Sequence, residues 1–409
     1  MALAMTRHGV LRAVTRLDEF MPISLRAVVS LGLIVGASCG GGRDVKTAAV
    51  ASPATPATIV PVLAPGTLAS HGAILIGDLH GTREIPAFVG ALVTEVVAHE
   101  PVVLGLEIPK GEVPSLDGFL GSDGGPAARE AALRDPWWHA DRQDGRRSAA
   151  MFELIDTVRR LRARGARVEV VCFDAVGSDA ETRDAAMANK LVAARQASPD
   201  AALVVYVGNY HARRAEARER PGYTWMAMHM AKAGVAFATF DPHYGAGSAW
   251  TCEGRTAVDC GAHYTGGYDA AAPGVHLEPS PDGGYDGWFG VASVMASPPA
   301  AFPALAVGLD AKLAALRESP EAHRSRARGA ARDKDYRRCI AELLRVGSPS
   351  ADDAYNLACC YALAGNRDAA FDQLRAARAR RYRDLDGMKT DTDLDSLHGD
   401  PRWSAVLAP

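Results

Sequence analysis

The chain has 409 residues, 48% of them hydrophobic, and a formal net charge of −3 at pH 7. This length gives room for more than one hydrophobic core, so we expect more than one domain. The near balance of acidic and basic residues gives no reason to expect a nucleic-acid partner, which requires an excess of positive charge. Seven cysteines are too few for a disulfide scaffold.

Residues 1–39 have the order of a secretory signal. Arg26 precedes an apolar run at 27–35, and small residues at 36–38 lead into Cys39. The end of this stretch resembles a bacterial lipobox, which predicts a lipoprotein signal peptide with Cys39 as the lipidated residue. A short anchor helix or an unstructured tail is the alternative interpretation.

Residues 40–69 are rich in Gly, Ala, Thr and Pro and show no periodicity, which predicts a flexible linker. A tether of this kind suits a domain held at a membrane by an N-terminal lipid. We therefore expect an extracytoplasmic, membrane-anchored lipoprotein. Gly40 after Cys39 favours the outer membrane, facing the periplasm, in a diderm cell.

Residues 70–310 alternate between apolar runs and amphipathic stretches. This pattern predicts an α/β domain, with a mostly parallel sheet and helices on both faces. The predicted strands lie near 73–76, 102–106, 168–173, 202–207 and 235–240, and the predicted helices near 86–100, 146–164, 180–196 and 224–233.

Chemically useful side chains follow three of these strands. Residues 77–80 read Gly-Asp-Leu-His, residues 208–211 read Gly-Asn-Tyr-His, and the second strand is followed by Glu107. The carboxyl ends of strands border the ligand crevice of an open α/β sheet. Two imidazoles and a carboxylate commonly hold a catalytic divalent metal, so His80, Glu107 and His211 are candidate ligands of Mn, Co or Zn. Hydrogen-bonded structural histidines and an arginine-paired glutamate are the alternatives.

These blocks resemble the superfamily that joins the ChaN haem-binding lipoproteins, the TraB and Tiki proteins, and the erythromycin esterases. The resemblance covers residues 74–82, 106–109, 207–212 and 285–299, in that order. Its first block commonly carries Glu where this chain has Asp78, and the shorter side chain reaches less far.

The resemblance implies three functions. A Tiki-like protein would be a metal-dependent peptidase or esterase, in which Asp78, His80, Glu107 and His211 are catalytic. A ChaN-like protein would bind haem or iron without turnover, with His80, His211 and Tyr210 as candidate haem contacts. An erythromycin-esterase-like protein would be an acid–base hydrolase without metal. The ligand would accordingly be a small molecule, a peptide or haem.

Several further residues are weaker candidates. They either follow strands, lie in the insertion before the helix near 146–164, or lie on a Met-rich helix face: Asp174, Asp241, His139, Asp144, Arg146 and His229. For His229, which could offer an axial ligand to haem, a core position on the helix face is the alternative.

The cysteines are divided between a loop and predicted core positions. Cys252 and Cys260 lie in a Gly-rich loop and could pair in an oxidising compartment, or they could remain two thiols. Apart from Cys39, the others are predicted to be buried core thiols: Cys172, Cys339, Cys359 and Cys360.

Residues 324–409 are predicted to be helical. The spacing of Leu357, Ala358, Tyr361, Gly365 and later small residues resembles a tetratricopeptide repeat, with 335–344 as the second helix of a degenerate preceding repeat. One repeat cannot bury its own apolar face, so the segment must pack on its neighbours. It would present either a surface for a protein or peptide partner or an end cap.

Overall fold

The computed structural model describes residues 72–175, 179–267 and 273–408. The predicted signal peptide, its Cys39 and the predicted linker lie outside these residues. In the part of the chain that is described, no helix combines the length and the apolar character needed to cross a membrane.

A seven-stranded sheet forms the centre of the α/β domain. The strands in chain order are β1 Ala73–Asp78, β2 Val102–Leu106, β3 Val168–Cys172, β4 Ala202–Gly208, β5 Ala238–Tyr244, β6 Gly247–Cys252, β7 Cys260–Thr265, β8 Gly274–His276 and β9 Gly287–Val291. The sheet order is β3-β2-β4-β1-β5-β9-β8, whereas β6 and β7 form a separate antiparallel pair. All neighbours in the large sheet are parallel except β8 and β9. The predicted fold class is confirmed.

Helices cover both faces of this sheet and continue beyond it. They are α1 Glu84–Val97, α2 Leu116–Leu120, α3 Pro126–Leu133, α4 Ala149–Ala163, α5 Ala180–Ala197, α6 Met226–Lys232, α7 Leu309–Arg317, α8 Pro320–Arg332, α9 Tyr336–Leu344, α10 Ala351–Leu363, α11 Arg367–Ala379, α12 Leu385–Thr390 and α13 Arg402–Leu407.

Successive side chains of β1 point into two different apolar layers. Ile74 and Ile76 pack with Phe88 of α1 in one cluster. Leu75 packs with Met187 of α5 in the other. Because strand side chains alternate between faces, a strand buried on both sides has to be apolar throughout, as β1 is up to Gly77.

Two predicted boundaries were wrong in ways that matter for the site. Helix α4 begins at Ala149 rather than near 146, because the Ser148 side chain caps it by accepting from the Met151 backbone N–H at 3.2 Å. Arg146 therefore belongs to the preceding loop. Strand β5 extends to Tyr244, so Asp241 lies within a strand, paired with β9, instead of after its end.

Among the described residues, four cysteines form two disulfides. Cys252 and Cys260 are bonded across the β6–β7 pair. Cys339 and Cys360, which we expected to be buried thiols, are buried but bonded to each other, so they join α9 to α10. Cys172 and Cys359 are buried free cysteines, as predicted.

The C-terminal helices pack as consecutive neighbours. One apolar cluster joins α8, α9 and α10, and a second joins α10 and α11 to the helices that follow. The helix that contains Arg324 already begins at Pro320, where Ser319 caps it. The tetratricopeptide assignment and a partner on this surface stay predictions.

Candidate active site

The strand order brings the three predicted strand ends together. β4 lies between β2 and β1, with Asp78 opposite Gly208 and Leu106 opposite Tyr206. Glu107 follows β2 directly, whereas His80 and His211 lie in the turns after β1 and β4. The carboxyl ends of these parallel strands therefore form one edge on which the three side chains meet.

The side chains of His80, Glu107 and His211 surround Gly208. A β-carbon built on Gly208 would lie 3.0 Å from His80 Nε2, 3.3 Å from Glu107 Oε2 and 3.4 Å from His211 Cδ2. The backbone there has φ −49° and ψ 135°, which any residue can adopt. Glycine at this position therefore keeps the space between the three side chains open.

His80 is held by a buried carboxylate. Its Nδ1 donates a hydrogen bond to Asp78 Oδ2 at 2.6 Å, and its Nε2 lies 3.8 Å from Glu107 Oε2. Burial alone would lower the pKa of His80, but the Asp78 and Glu107 carboxylates outweigh it, so the pKa is raised above 6.5. Burial, and then Asp78, raise the pKa of the Tyr206 hydroxyl well above its usual range.

His211 has a similar support on the other side of the site. Its Nδ1 contacts the carboxylate of Asp184, a fully buried residue of α5. Its Nε2 lies 3.1 Å from Arg183 Nη1. Since a guanidinium nitrogen can only donate, Nε2 accepts, and the imidazole proton lies on Nδ1, facing Asp184.

Glu107 is the most strongly bound group of the site. Its Oε2 accepts from the Gly208 backbone N–H at 2.7 Å, and its Oε1 accepts from Arg183 at 2.7 Å and from Arg146 at 3.5 Å. Burial alone would raise the pKa of Glu107, but the neighbouring imidazoles of His80 and His211 and the guanidinium groups of the two arginines hold it well below its usual range. Glu107 is therefore ionised throughout the physiological range.

A second set of carboxylates holds the two arginines. Asp174 accepts from Arg183 Nε at 2.7 Å and from Arg146 Nη1 at 3.2 Å. Asp144 accepts from Arg146 Nη2 at 2.9 Å. Arg146 and Arg183 keep 21% and 22% of their side chains exposed, so they can also donate to a bound molecule.

Two glycines place the loop that carries Arg146. Gly81 and Gly145 have φ +77° and +93°, and a β-carbon on either would lie within 2.4 Å of the Trp250 carbonyl oxygen. The Trp250 N–H also donates to the Gly81 carbonyl at 2.9 Å. Only glycine allows three backbones to approach so closely.

The remaining predicted residues lie outside this cluster. Tyr210 is 48% exposed and packs against Trp225. His139 contacts the Leu133 carbonyl and the Phe302 ring. His229 lies on α6, between the core residues Met226 and Met230.

Sequence reasoning missed Arg183 and Asp184. Both lie in the first turns of α5, which follows β3. A charged pair at the start of a helix that leaves the carboxyl edge of a sheet is the signal that could have revealed them.

As placed, the predicted metal ligands do not suit a divalent cation. The ligand atoms of His80, Glu107 and His211 do not all lie within 4.8 Å of one another in the part of the chain that is described. Arg183 contacts both Glu107 and His211, and its charge would repel a dication there. Of the candidate haem contacts, His211 has its Nε2 against Arg183 at 3.1 Å, whereas Nε2 of His80 lies toward the open point beside Gly208, 3.8 Å from Glu107 Oε2. A metal or haem at this site stays a prediction.

No protein-family model matches the sequence, and no curated protein matches it either. Solved structures that resemble the fold include an erythromycin esterase mutant in its open conformation, at 11% identity and a TM-score of 0.43. A succinoglycan biosynthesis protein shows 9% identity and a TM-score of 0.44. Each likeness covers 56% of this chain, and 92% and 90% of the respective neighbour. Likenesses of this extent carry no argument about chemistry.

Proposed function

We propose that this protein is a hydrolase of carboxylic esters, in which His80 activates the attacking water without a metal. The observation that carries the proposal is the hydrogen bond from His80 Nδ1 to the buried Asp78, with Nε2 left toward the open point beside Gly208. A carboxylate on Nδ1 fixes the tautomer and orientation of an imidazole and stabilises its protonated form.

The proposed reaction uses the groups around that point. His80 Nε2 accepts a proton from water while the water oxygen attacks the ester carbonyl. Arg146 and Arg183 donate to the oxyanion that develops on the carbonyl oxygen. Collapse of the tetrahedral intermediate breaks the bond to the alkoxide, which takes the proton back from His80, and the products are an acid and an alcohol. Glu107 and His211 hold Arg183 in place.

The test separates this mechanism from the two functions that involve a metal or haem. The purified full chain is assayed on p-nitrophenyl acetate and butyrate before and after dialysis against a chelator, and its metal content is measured by mass spectrometry. We expect turnover to survive dialysis with less than one metal per chain, because Arg183 and Arg146 already donate to the Glu107 carboxylate that a dication would need as a ligand. Activity lost on dialysis and restored by Mn, Co or Zn would establish the metal-dependent hydrolase. A Soret band on haem titration without turnover would establish the carrier.

We also propose that the protein works in an extracytoplasmic compartment, anchored through Cys39. Two disulfides among the described residues suit an oxidising environment. Of seven cysteines, one would carry lipid and four would be bonded, which leaves two thiols, Cys172 and Cys359.

Thiol counting tests this compartment assignment. Native protein is denatured without reductant, alkylated and weighed, and we expect two alkylated cysteines and a lipid on Cys39. A Cys39→Ser variant should keep the same two free thiols in its folded domain but leave the membrane fraction. Recovery of the parent from the cytosol with all its cysteines alkylated would contradict the assignment.

A further inference from the structure

The antiparallel pair β6–β7, which we call the ribbon, lies against both loops that carry proposed catalytic side chains. The carbonyl oxygen of Trp250 on β6 lies against Gly81 and Gly145. The first of these glycines follows His80 in the chain, and the second precedes Arg146. The Trp250 N–H also donates to the Gly81 carbonyl at 2.9 Å. The positions of the proposed base and of one oxyanion donor therefore depend on the position of this part of the ribbon.

A disulfide closes the ribbon next to Trp250. Cys252 lies two residues after Trp250 and is bonded to Cys260, the residue opposite it on β7. The loop that the disulfide closes contains Gly254, whose carbonyl accepts from Arg142 at 3.0 Å, in the loop that leads to the active site. A two-stranded ribbon has little stability of its own, and a disulfide restricts the open conformations that it could otherwise adopt. The disulfide therefore stabilises both the Trp250 contact and the Arg142 contact.

The disulfide of the ribbon is open to a reductant, whereas the other disulfide is not. Cys252 and Cys260 are half-buried, and Cys260 lines a surface cavity of about 260 Å³. Cys339 and Cys360, by contrast, are only 2% and 4% exposed. Because thiol–disulfide exchange requires access to a sulfur atom, a small dithiol should reduce the ribbon disulfide while it leaves the buried one intact.

We propose that the Cys252–Cys260 disulfide controls the candidate active site, which is fully assembled only when this bond is formed. In the reduced protein the ribbon opens at its tip, Trp250 leaves the two glycines more often, and the Arg146 side chain loses its fixed position beside Glu107. The effect on turnover rests on the proposed hydrolase function, whereas the effect on the structure does not. The enzyme would then reach full activity only in an oxidising compartment.

The reduction is a thiol–disulfide exchange with a dithiol. One thiolate of the dithiol attacks Cys260 Sγ, the bond to Cys252 breaks, and the Cys252 sulfur leaves with the electron pair and takes up a proton. The second thiolate of the dithiol then attacks the dithiol's first sulfur and releases Cys260, which is protonated in turn. Two electrons and two protons pass to the protein, and the dithiol becomes a cyclic disulfide.

Hydrogen exchange tests the structural part without requiring catalysis. The full chain is treated with dithiothreitol, and alkylation followed by mass spectrometry verifies that only the ribbon disulfide is reduced. We expect amide exchange to become faster in the ribbon at 247–252 and also in the loop at 140–148, whereas α10 should stay unchanged as the internal control. Oxidised glutathione should reverse the change. Faster exchange confined to the ribbon overturns the proposal, whether or not the protein hydrolyses esters.

Turnover separates the redox control from the hydrolase proposal. We expect kcat/KM on p-nitrophenyl butyrate to fall about tenfold on reduction, since a misplacement of about 1 Å can cost about 10²-fold and the ribbon opens only part of the time. The loss should be mainly in kcat, because Arg146 donates to the developing oxyanion. A Cys252→Ser, Cys260→Ser variant should show the lower value with and without dithiothreitol, which excludes an effect of the reductant elsewhere.

Two outcomes distinguish the proposals. If exchange in the loop at 140–148 responds to reduction but neither form hydrolyses the ester, the control of the site holds and the hydrolase proposal falls. If both forms hydrolyse the ester at equal kcat/KM, the hydrolase holds and the redox control falls.

Discussion

Replacing His80 with glutamine is expected to lower kcat/KM for ester hydrolysis by about 10²- to 10⁴-fold, the usual contribution of a positioned general base. In the parent protein, kcat/KM should rise with pH, because only the deprotonated imidazole can accept a proton from water. The midpoint should lie above 6.5, since Asp78 and Glu107 raise the pKa of His80 in the free enzyme.

An Asp78→Asn variant tests whether Asp78 causes the raised midpoint in the pH dependence of kcat/KM. Without the carboxylate, the protonated imidazole loses its main stabilising partner, so the midpoint should move to lower pH. The value of kcat/KM at high pH should also fall, since the amide of this variant does not select the His80 tautomer with its proton on Nδ1. His139→Gln serves as the control, because His139 contacts the Leu133 carbonyl and lies outside the site. A parent midpoint below 6.5, or one that Asp78→Asn leaves in place, would contradict the role given to this pair.

A Gly208→Ala variant should lose activity while it keeps its fold. The added methyl would lie 3.0 Å from His80 Nε2 and 3.3 Å from Glu107 Oε2, so both groups would have to shift by a few tenths of an ångström. It would also occupy the space where water and the ester carbonyl have to meet. We expect kcat/KM to fall about 10²-fold, comparable to the cost of a small misplacement of catalytic groups.

The fold should survive because the backbone at Gly208, with φ −49°, suits alanine. Thermal unfolding followed by circular dichroism should therefore change little. Gly118→Ala on α2, where a β-carbon would meet nothing within 4 Å, is the matched control and should retain full activity. Full activity in Gly208→Ala would show that the reaction does not take place between these three side chains.

The sequence by itself determined the α/β architecture and the edge that carries the site. Runs such as Ile74 to Ile76 and Leu203 to Val207 are apolar at every position. A strand with one solvent-exposed face would alternate with polar residues, so these runs predict a sheet covered by helices on both faces. In such a sheet, residues that follow the strands meet at one edge. This is why His80, Glu107 and His211 could be grouped before their contacts were known.

Only the tertiary structure decided what these residues contact. A glutamate at the end of a strand can be a metal ligand or the partner of an arginine. The hydrophobic pattern of the strand is the same in both cases, so it does not distinguish them. Arg183 lies 76 positions after Glu107 in the chain, and the contact between the two side chains depends on the direction in which α5 runs from the edge of the sheet. Arg146 likewise depends on the close approach of Gly145 to Gly81, which no local pattern encodes. Cys339 and Cys360 show the same limit: helical spacing predicts that both are buried, but only the packing of α9 on α10 brings their sulfur atoms together.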